Sequence, residues 1–195
     1  MRQLPPDAPD EGVGLSLPNL ISLGRLLLVP LAIWLILGHR YGTAFWLFVV
    51  AGISDALDGF IAKHFDRRTR LGALLDPIAD KALLVSVYVT LGLANQLWPS
   101  LVILVVFRDV MIVGGFLLIQ AFAVPKHYDP LYISKINTGL QLVLIAFVLA
   151  KLGLSADWDN IGDILSYAVI ATTVLSGLSY VWRWARILSR SEQAL

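Results

Sequence analysis

The chain has 195 residues, 57% of them hydrophobic and 15% charged, with a net charge of +1 and a mean hydropathy of +0.75. A soluble domain carries about 25% charge, so the composition points to an integral membrane protein. There is no cysteine, which excludes disulfides, thiolate nucleophiles and zinc-thiolate sites, and no nucleic-acid motif is present.

Residues 1–16 are rich in Pro, Gly and acid and lack the basic start and apolar run of a signal peptide; they are expected to form a disordered cytoplasmic tail. One membrane domain, residues 17–188, and a short tail, 189–195, follow. A helix needs about 20 apolar residues to cross a bilayer, and six such spans can be drawn, giving an all-α fold of six transmembrane helices. The first runs from Pro18 to Leu37, with Asn19 and Arg25 near its start and Pro30 inside it, where a kink is expected. The second, Thr43 to Phe65, carries Asp55 and Asp58 in its later half. The third, Gly72 to Gln96, carries Asp76 and Asp80 at its start, so the two are expected to form a helical hairpin. The fourth, Trp98 to Phe122, is apolar except for Arg108 and Asp109, a pair that must face the bundle interior. The fifth, Leu131 to Leu152, places Ser134, Asn137, Thr138 and Gln141 on one stripe beside Lys135. The sixth, Asn160 to Trp184, holds Thr172, Thr173, Ser176, Gly177 and Ser179, small residues suited to close packing in a scaffold or dimer contact.

Arg2, Lys63, Arg67, Arg68, Arg70, Lys126, Arg183, Arg186 and Arg190 fall in one set of loops and only Arg40 and Lys151 in the other, so both termini are expected in the cytoplasm. The acidic hairpin then opens toward the cytoplasm. No transit peptide precedes the first span, and a bacterial inner membrane is the expected location.

The stretch from Asp55 to Asp80 concentrates four carboxylates around a basic loop. Asp55, Asp58, Gly59 and Ala62 fall at i, i+3, i+4 and i+7 of a helix, and Gly72, Asp76 and Asp80 are spaced by four. Carboxylates this close do not all stay ionised unaided, so cations belong among them. Oxygen donors without cysteine or a suitably spaced histidine favour magnesium or manganese, and two ions would balance four acids beside a phosphate. Gly59 and Ala62 leave room for a flat base or sugar near the helix backbone, and Lys63, Arg67, Arg68 and Arg70 suit phosphate or anionic lipid. The bland alternative is a solvated loop whose acids pair with its own arginines; ordered helical spacing argues against it.

Asp55-x-x-Asp58-Gly59-x-x-Ala62-Lys63, eight residues, then Gly72-x-x-x-Asp76-x-x-x-Asp80 resembles the signature of the CDP-alcohol phosphatidyltransferase family, with seven of eight fixed positions matching. Lys63 stands where the family has Arg, keeping the charge but losing the bidentate fork. The resemblance implies a six-helix membrane fold, usually a homodimer, that transfers a phosphatidyl group from CDP-diacylglycerol to an alcohol and releases CMP. On the matching positions it implies that Asp55, Asp58, Asp76 and Asp80 hold the metals, that Asp80 is the general base, and that Gly59, Ala62, Lys63 and Gly72 contact the cytidine diphosphate.

Within the family, TRLGALLDPIADKALLVSVYVTL, FRDVMIVG and ISKINTGLQLVL look most like the eukaryotic-type, CMP-forming cardiolipin synthases, over residues 18 to 185. That resemblance implies phosphatidylglycerol as acceptor, its phosphate against Arg25, Arg108 and Lys135; the sister reaction uses glycerol 3-phosphate. Each cation also has an ordinary reading: Arg25 snorkels to the surface, Arg108 partners a buried acid, Lys135 anchors a span end. Lys81 is assigned no role, and the polar stripe of the fifth span reads more as packing glue than as substrate contact. A proton or cation transporter is the alternative of another class, disfavoured because the acids cluster on one cytoplasmic hairpin. A non-catalytic lipid-binding scaffold is a third reading, disfavoured because all four acids keep enzyme spacing.

Overall fold

The computed structural model describes residues 17–65, 70–121, 132–154 and 159–192, and the side chains of 23–54, 78–79, 81–115, 132–154 and 160–182. Among the described residues there are six helices and no strand: α1 Leu17–Leu37, α2 Tyr41–Phe65, α3 Arg70–Leu93, α4 Pro99–Ala121, α5 Tyr132–Leu154 and α6 Asp159–Glu192. These follow the six expected spans, with α1 unbroken through Pro30. The difference is α6, which continues past Trp184, where the span was expected to stop. Its last segment, Ala185 to Glu192, is rich in good helix formers.

Two of the tight turns are set by left-handed residues. His39 (φ 55°) and Asn95 (φ 56°) each sit just past a helix end. Behind them Arg40 N–H donates to the Leu35 carbonyl at 2.8 Å and Gln96 N–H to the Leu91 carbonyl at 2.9 Å, the bonding pattern of a Schellman cap. Asn95 is why α3 ends at Leu93, short of the expected Gln96.

The helices pack as a closed ring in the order α1, α3, α4, α6, α5, α2, with α3 also touching α5 across the middle. Among the described residues no contact joins α2 to α3. The expected hairpin is therefore not a packed pair there; α1 and α5 each touch both helices.

The apolar core lies toward the end of the ring that carries the α1–α2 and α3–α4 turns. Ile36, Tyr88, Leu91, Leu101, Leu144, Ile145 and Val169 are all fully enclosed there. The tightest approach is between backbones: a Cβ on Gly153 would collide with the Gly42 backbone N and lie 2.5 Å from the Gly42 Cα, and one on Gly42 would lie 3.3 Å from the Gly153 oxygen. Small residues at such a crossing allow helices to associate by van der Waals contact. Tyr88 closes the centre, its hydroxyl donating to the Gln141 carbonyl at 3.1 Å.

Outward faces are apolar. Ile103, Phe107 and Val110, at i, i+4 and i+7 of α4, are 69%, 65% and 60% exposed, a stripe water would not favour. Among the described residues two segments are long and apolar enough to cross a membrane, Tyr132–Leu154 and Asn160–Trp182. Leu23–Leu37, Tyr41–Ser54 and Lys81–Leu93 are apolar over shorter lengths.

Candidate active site

Every fixed position of the acidic motif falls on a continuous helix. Asp55, Asp58, Gly59, Ala62 and Lys63 belong to α2, and Gly72, Asp76 and Asp80 to α3. Helical register thus applies to both acid pairs, and an oxygen-only donor set on two such helices fits a hard divalent ion such as magnesium or manganese. The side chains of these eight residues lie outside the described residues, as do the loop arginines Arg67 and Arg68. Among the described residues no three acidic or histidine side chains converge on a metal site.

Immediately beyond Asp80 the structure describes a buried charge cluster. Lys81 on α3 reaches Asp109 on α4, Nζ to Oδ2 2.9 Å, and also lies 3.4 Å from Thr138 Oγ1 on α5. Arg108 bonds the other oxygen of the same carboxylate, Nη1 to Oδ1 2.6 Å. The Arg108 Nη2 donates to Ser134 Oγ at 2.5 Å and to Ser176 Oγ at 2.9 Å, and Nε donates to Ser176 Oγ at 3.3 Å. All three guanidinium nitrogens are thus engaged by protein oxygens. Asp109 is 1% exposed and Arg108 4%, so two cations share one carboxylate inside the bundle, a costly arrangement unless every group is hydrogen-bonded.

The placement of Arg108 and Asp109 toward the interior agrees with the sequence reading. Arg108 makes the contact of its ordinary reading, a partner to a buried acid. Arg25 is 8% exposed and so enclosed by protein, not snorkelled to the surface. Lys135 is exposed, with its Nζ 5.8 Å from the Tyr132 ring centroid, the position of a span-end anchor. Two of the three candidate cations, Arg25 and Arg108, are thus buried and the third, Lys135, is exposed.

Two members of the cluster are not legible in the sequence. Lys81 is the α3 partner of Asp109; an isolated lysine in one apolar helix and a carboxylate beside an arginine in another are the available signal. Ser176, grouped with the packing residues of α6, is a hydrogen-bond acceptor for Arg108.

The polar stripe of α5 acts as glue. Asn137, fully buried, accepts from Thr172 at 2.8 Å and Thr173 at 2.9 Å through Oδ1. Thr172 also donates to the Ala168 carbonyl of its own helix. One turn on, Gln141 is fully buried, and among the described residues neither of its amide atoms nor the Asn137 Nδ2 has a hydrogen-bond partner.

The family model described as CDP-alcohol phosphatidyltransferase matches residues 15–187. A chloroplastic CDP-diacylglycerol–glycerol-3-phosphate 3-phosphatidyltransferase of Oryza sativa subsp. japonica is 34% identical, over 90% of this chain and 59% of that protein. A CMP-forming cardiolipin synthase of Rattus norvegicus is 33% identical, over 85% of this chain and 60% of that protein. The CDP-diacylglycerol–glycerol-3-phosphate 3-phosphatidyltransferase of Aquifex aeolicus is 31% identical, over 86% of this chain and 89% of that protein. The chain therefore spans about 60% of the length of the rice and rat relatives.

Proposed function

Because the chain belongs to the CDP-alcohol phosphatidyltransferase family, we propose that it transfers the phosphatidyl group of CDP-diacylglycerol to a hydroxyl of phosphatidylglycerol, forming cardiolipin and releasing CMP. The observation that carries this reading is the acidic motif, seven of whose eight positions keep the family residue on two continuous helices. Cardiolipin synthase is the printed activity of the rat relative. The rice and Aquifex relatives favour a second reading, in which glycerol 3-phosphate is the acceptor. A transporter finds no support in the family.

In this mechanism Asp80 takes the proton of the acceptor hydroxyl, whose oxygen then bonds to the phosphatidyl phosphorus while the pyrophosphate bond to CMP breaks. Gly59, Ala62 and Gly72 leave space for the cytidine, and Lys63 places a point charge by the diphosphate. Magnesium or manganese held by Asp55, Asp58, Asp76 and Asp80 would supply charge neutralisation for the leaving phosphate. Arg25, Arg108 and Lys135 are the candidates for positive charge toward the anionic acceptor, and Arg108 also ties α4 to α5 and α6.

The exposed apolar stripes fit a protein that lies in the membrane on all six helices, with both termini cytoplasmic, in a bacterial inner membrane and as a homodimer. The substrate tails then remain in lipid while the acids meet the headgroups from the cytoplasmic side.

The deciding experiment supplies purified protein with CDP-diacylglycerol and either phosphatidylglycerol or glycerol 3-phosphate, and identifies the lipid formed by mass spectrometry. Cardiolipin with CMP is the expected outcome. Phosphatidylglycerophosphate alone would select the second reading, and no CMP with either acceptor would overturn both.

A further inference from the structure

Lys81 directly follows Asp80 in α3, and consecutive residues leave an α-helix about 100° apart. Whatever fixes the direction of one therefore fixes that of the other. Lys81 is held by Asp109 on α4, which is held by Arg108, which ends on Ser134 of α5 and Ser176 of α6. One level of the bundle thus ties α3 to three other helices, a single residue away from Asp80. No other polar side chain described on α3 does this: Thr90 bonds back to the Ser86 carbonyl of its own helix, and Tyr88 reaches the Gln141 carbonyl two turns further on.

Packing holds α3 on one side only at this level, where Ala79, Leu83 and Leu84 are buried. A cleft of about 330 Å³ opens between α3 and α4 beside the ion pair, walled by Ala82, Val85, Val110 and Val113. In lipid, moreover, an apolar side chain gains little by facing protein over facing acyl chains. An ion pair discriminates strongly, because turning the helix would strip a buried carboxylate of a partner.

We infer that Lys81 is a positioning residue for the transfer reaction, holding α3 through Asp109 in the rotation from which Asp80 meets the acceptor hydroxyl. The inference rests on the reading of Asp80 as the base. It assigns Lys81 no contact with either substrate.

Lys81→Met is the clean variant, since it keeps the stem length and leaves Asp109 paired with Arg108. We expect it to fold, to lower kcat by about tenfold or more, as small misplacements of a reacting group do, and to leave KM for both substrates within about twofold. Lys81→Arg, which can still bond Asp109, is expected to recover most of the rate. Unchanged kcat, a raised KM for the acceptor at constant kcat, or Lys81→Arg no better than Lys81→Met would each overturn the inference. A second measurement does not depend on turnover: in this cysteine-free chain, spin labels at Val89 of α3 and Leu178 of α6 report the distance between those helices. We expect that distribution to broaden in Lys81→Met. A distribution as narrow as that of the unsubstituted protein overturns the inference, whereas a broadened one with no CMP release from the unsubstituted protein supports the tie and fails the parent reading alone.

Discussion

Arg108 and Asp109 are neighbours in the chain, yet their side chains turn together, Nη1 to Oδ1 2.6 Å, at 3% and 1% exposure. Because Lys81 takes the second carboxylate oxygen at 2.9 Å, Asp109 is the only anion of a three-residue cluster. Replacing it with Asn keeps the shape but takes that counter-charge from a buried guanidinium and a partly buried ammonium. Removing one partner of a buried pair costs about 3–5 kcal/mol, so Asp109→Asn should lower the thermal midpoint of detergent-solubilised protein sharply. Lys81→Met, which leaves one cation and one anion, should lower it far less. Equal midpoints for the two variants would show that the cluster is not held by its charge balance.

Two buried amides one turn apart on α5 should respond in opposite ways. Asn137 accepts hydrogen bonds from Thr172 and Thr173, and Asn137→Leu leaves the Thr173 hydroxyl in the core without that acceptor. A cost of about 1–3 kcal/mol is expected for such a loss. Among the described residues Gln141 has no bond to its side-chain amide, so Gln141→Leu removes a desolvated group and should be neutral or stabilising. Thermal unfolding of the two variants side by side checks the contrast. A strongly destabilised Gln141→Leu would mean that its amide is satisfied within the bundle.

The contrast shows where sequence reasoning reached and where it stopped. Helix positions were legible because each apolar run is long and bounded by turn formers or charge, and the acidic motif was legible because its spacing is local to two helices. The ring order of the helices was not. In an apolar chain the residues on the outside of the bundle, such as Phe107, and those inside it, such as Val105, have the same character, so composition cannot say that α3 packs on α1 while lacking described contacts with α2. The Lys81–Asp109 pair was hidden for a related reason: its members lie 28 positions apart, and no periodicity links one helix to the next. Helix α6 overran its expected end because hydropathy marks where the apolar run stops, whereas helical propensity carried the helix on to Glu192.

Gly153 is the residue on which the α2–α5 crossing depends. A Cβ there would press on the Gly42 N and on the Gly42 Cα at 2.5 Å, with the Tyr41 carbonyl carbon next at 2.8 Å, against backbone that cannot rotate away. Gly153→Ala should therefore destabilise by about 1–3 kcal/mol, the usual cost of overpacking. Gly42→Ala, whose nearest contact is the Gly153 oxygen at 3.3 Å, should cost less. The midpoints of the two alanine variants provide the check, and the reverse order would contradict this geometry.

Asp80 and the metal reading can be separated by what each perturbation leaves intact. If Asp80 takes the proton of the acceptor, Asp80→Asn removes the base and one negative charge while Asp55, Asp58 and Asp76 remain to hold an ion. CMP release should then fall by about 100-fold or more, the range general-base catalysis supplies, while CDP-diacylglycerol binding persists in equilibrium measurements. Exhaustive chelation should instead abolish CMP release in the unsubstituted protein, with magnesium or manganese restoring it. Near-normal turnover in Asp80→Asn would remove the base assignment, and turnover indifferent to chelation would remove the metal. Loss of nucleotide binding along with turnover in Asp80→Asn would point to a different division of labour, in which this carboxylate serves the ion before it serves the proton.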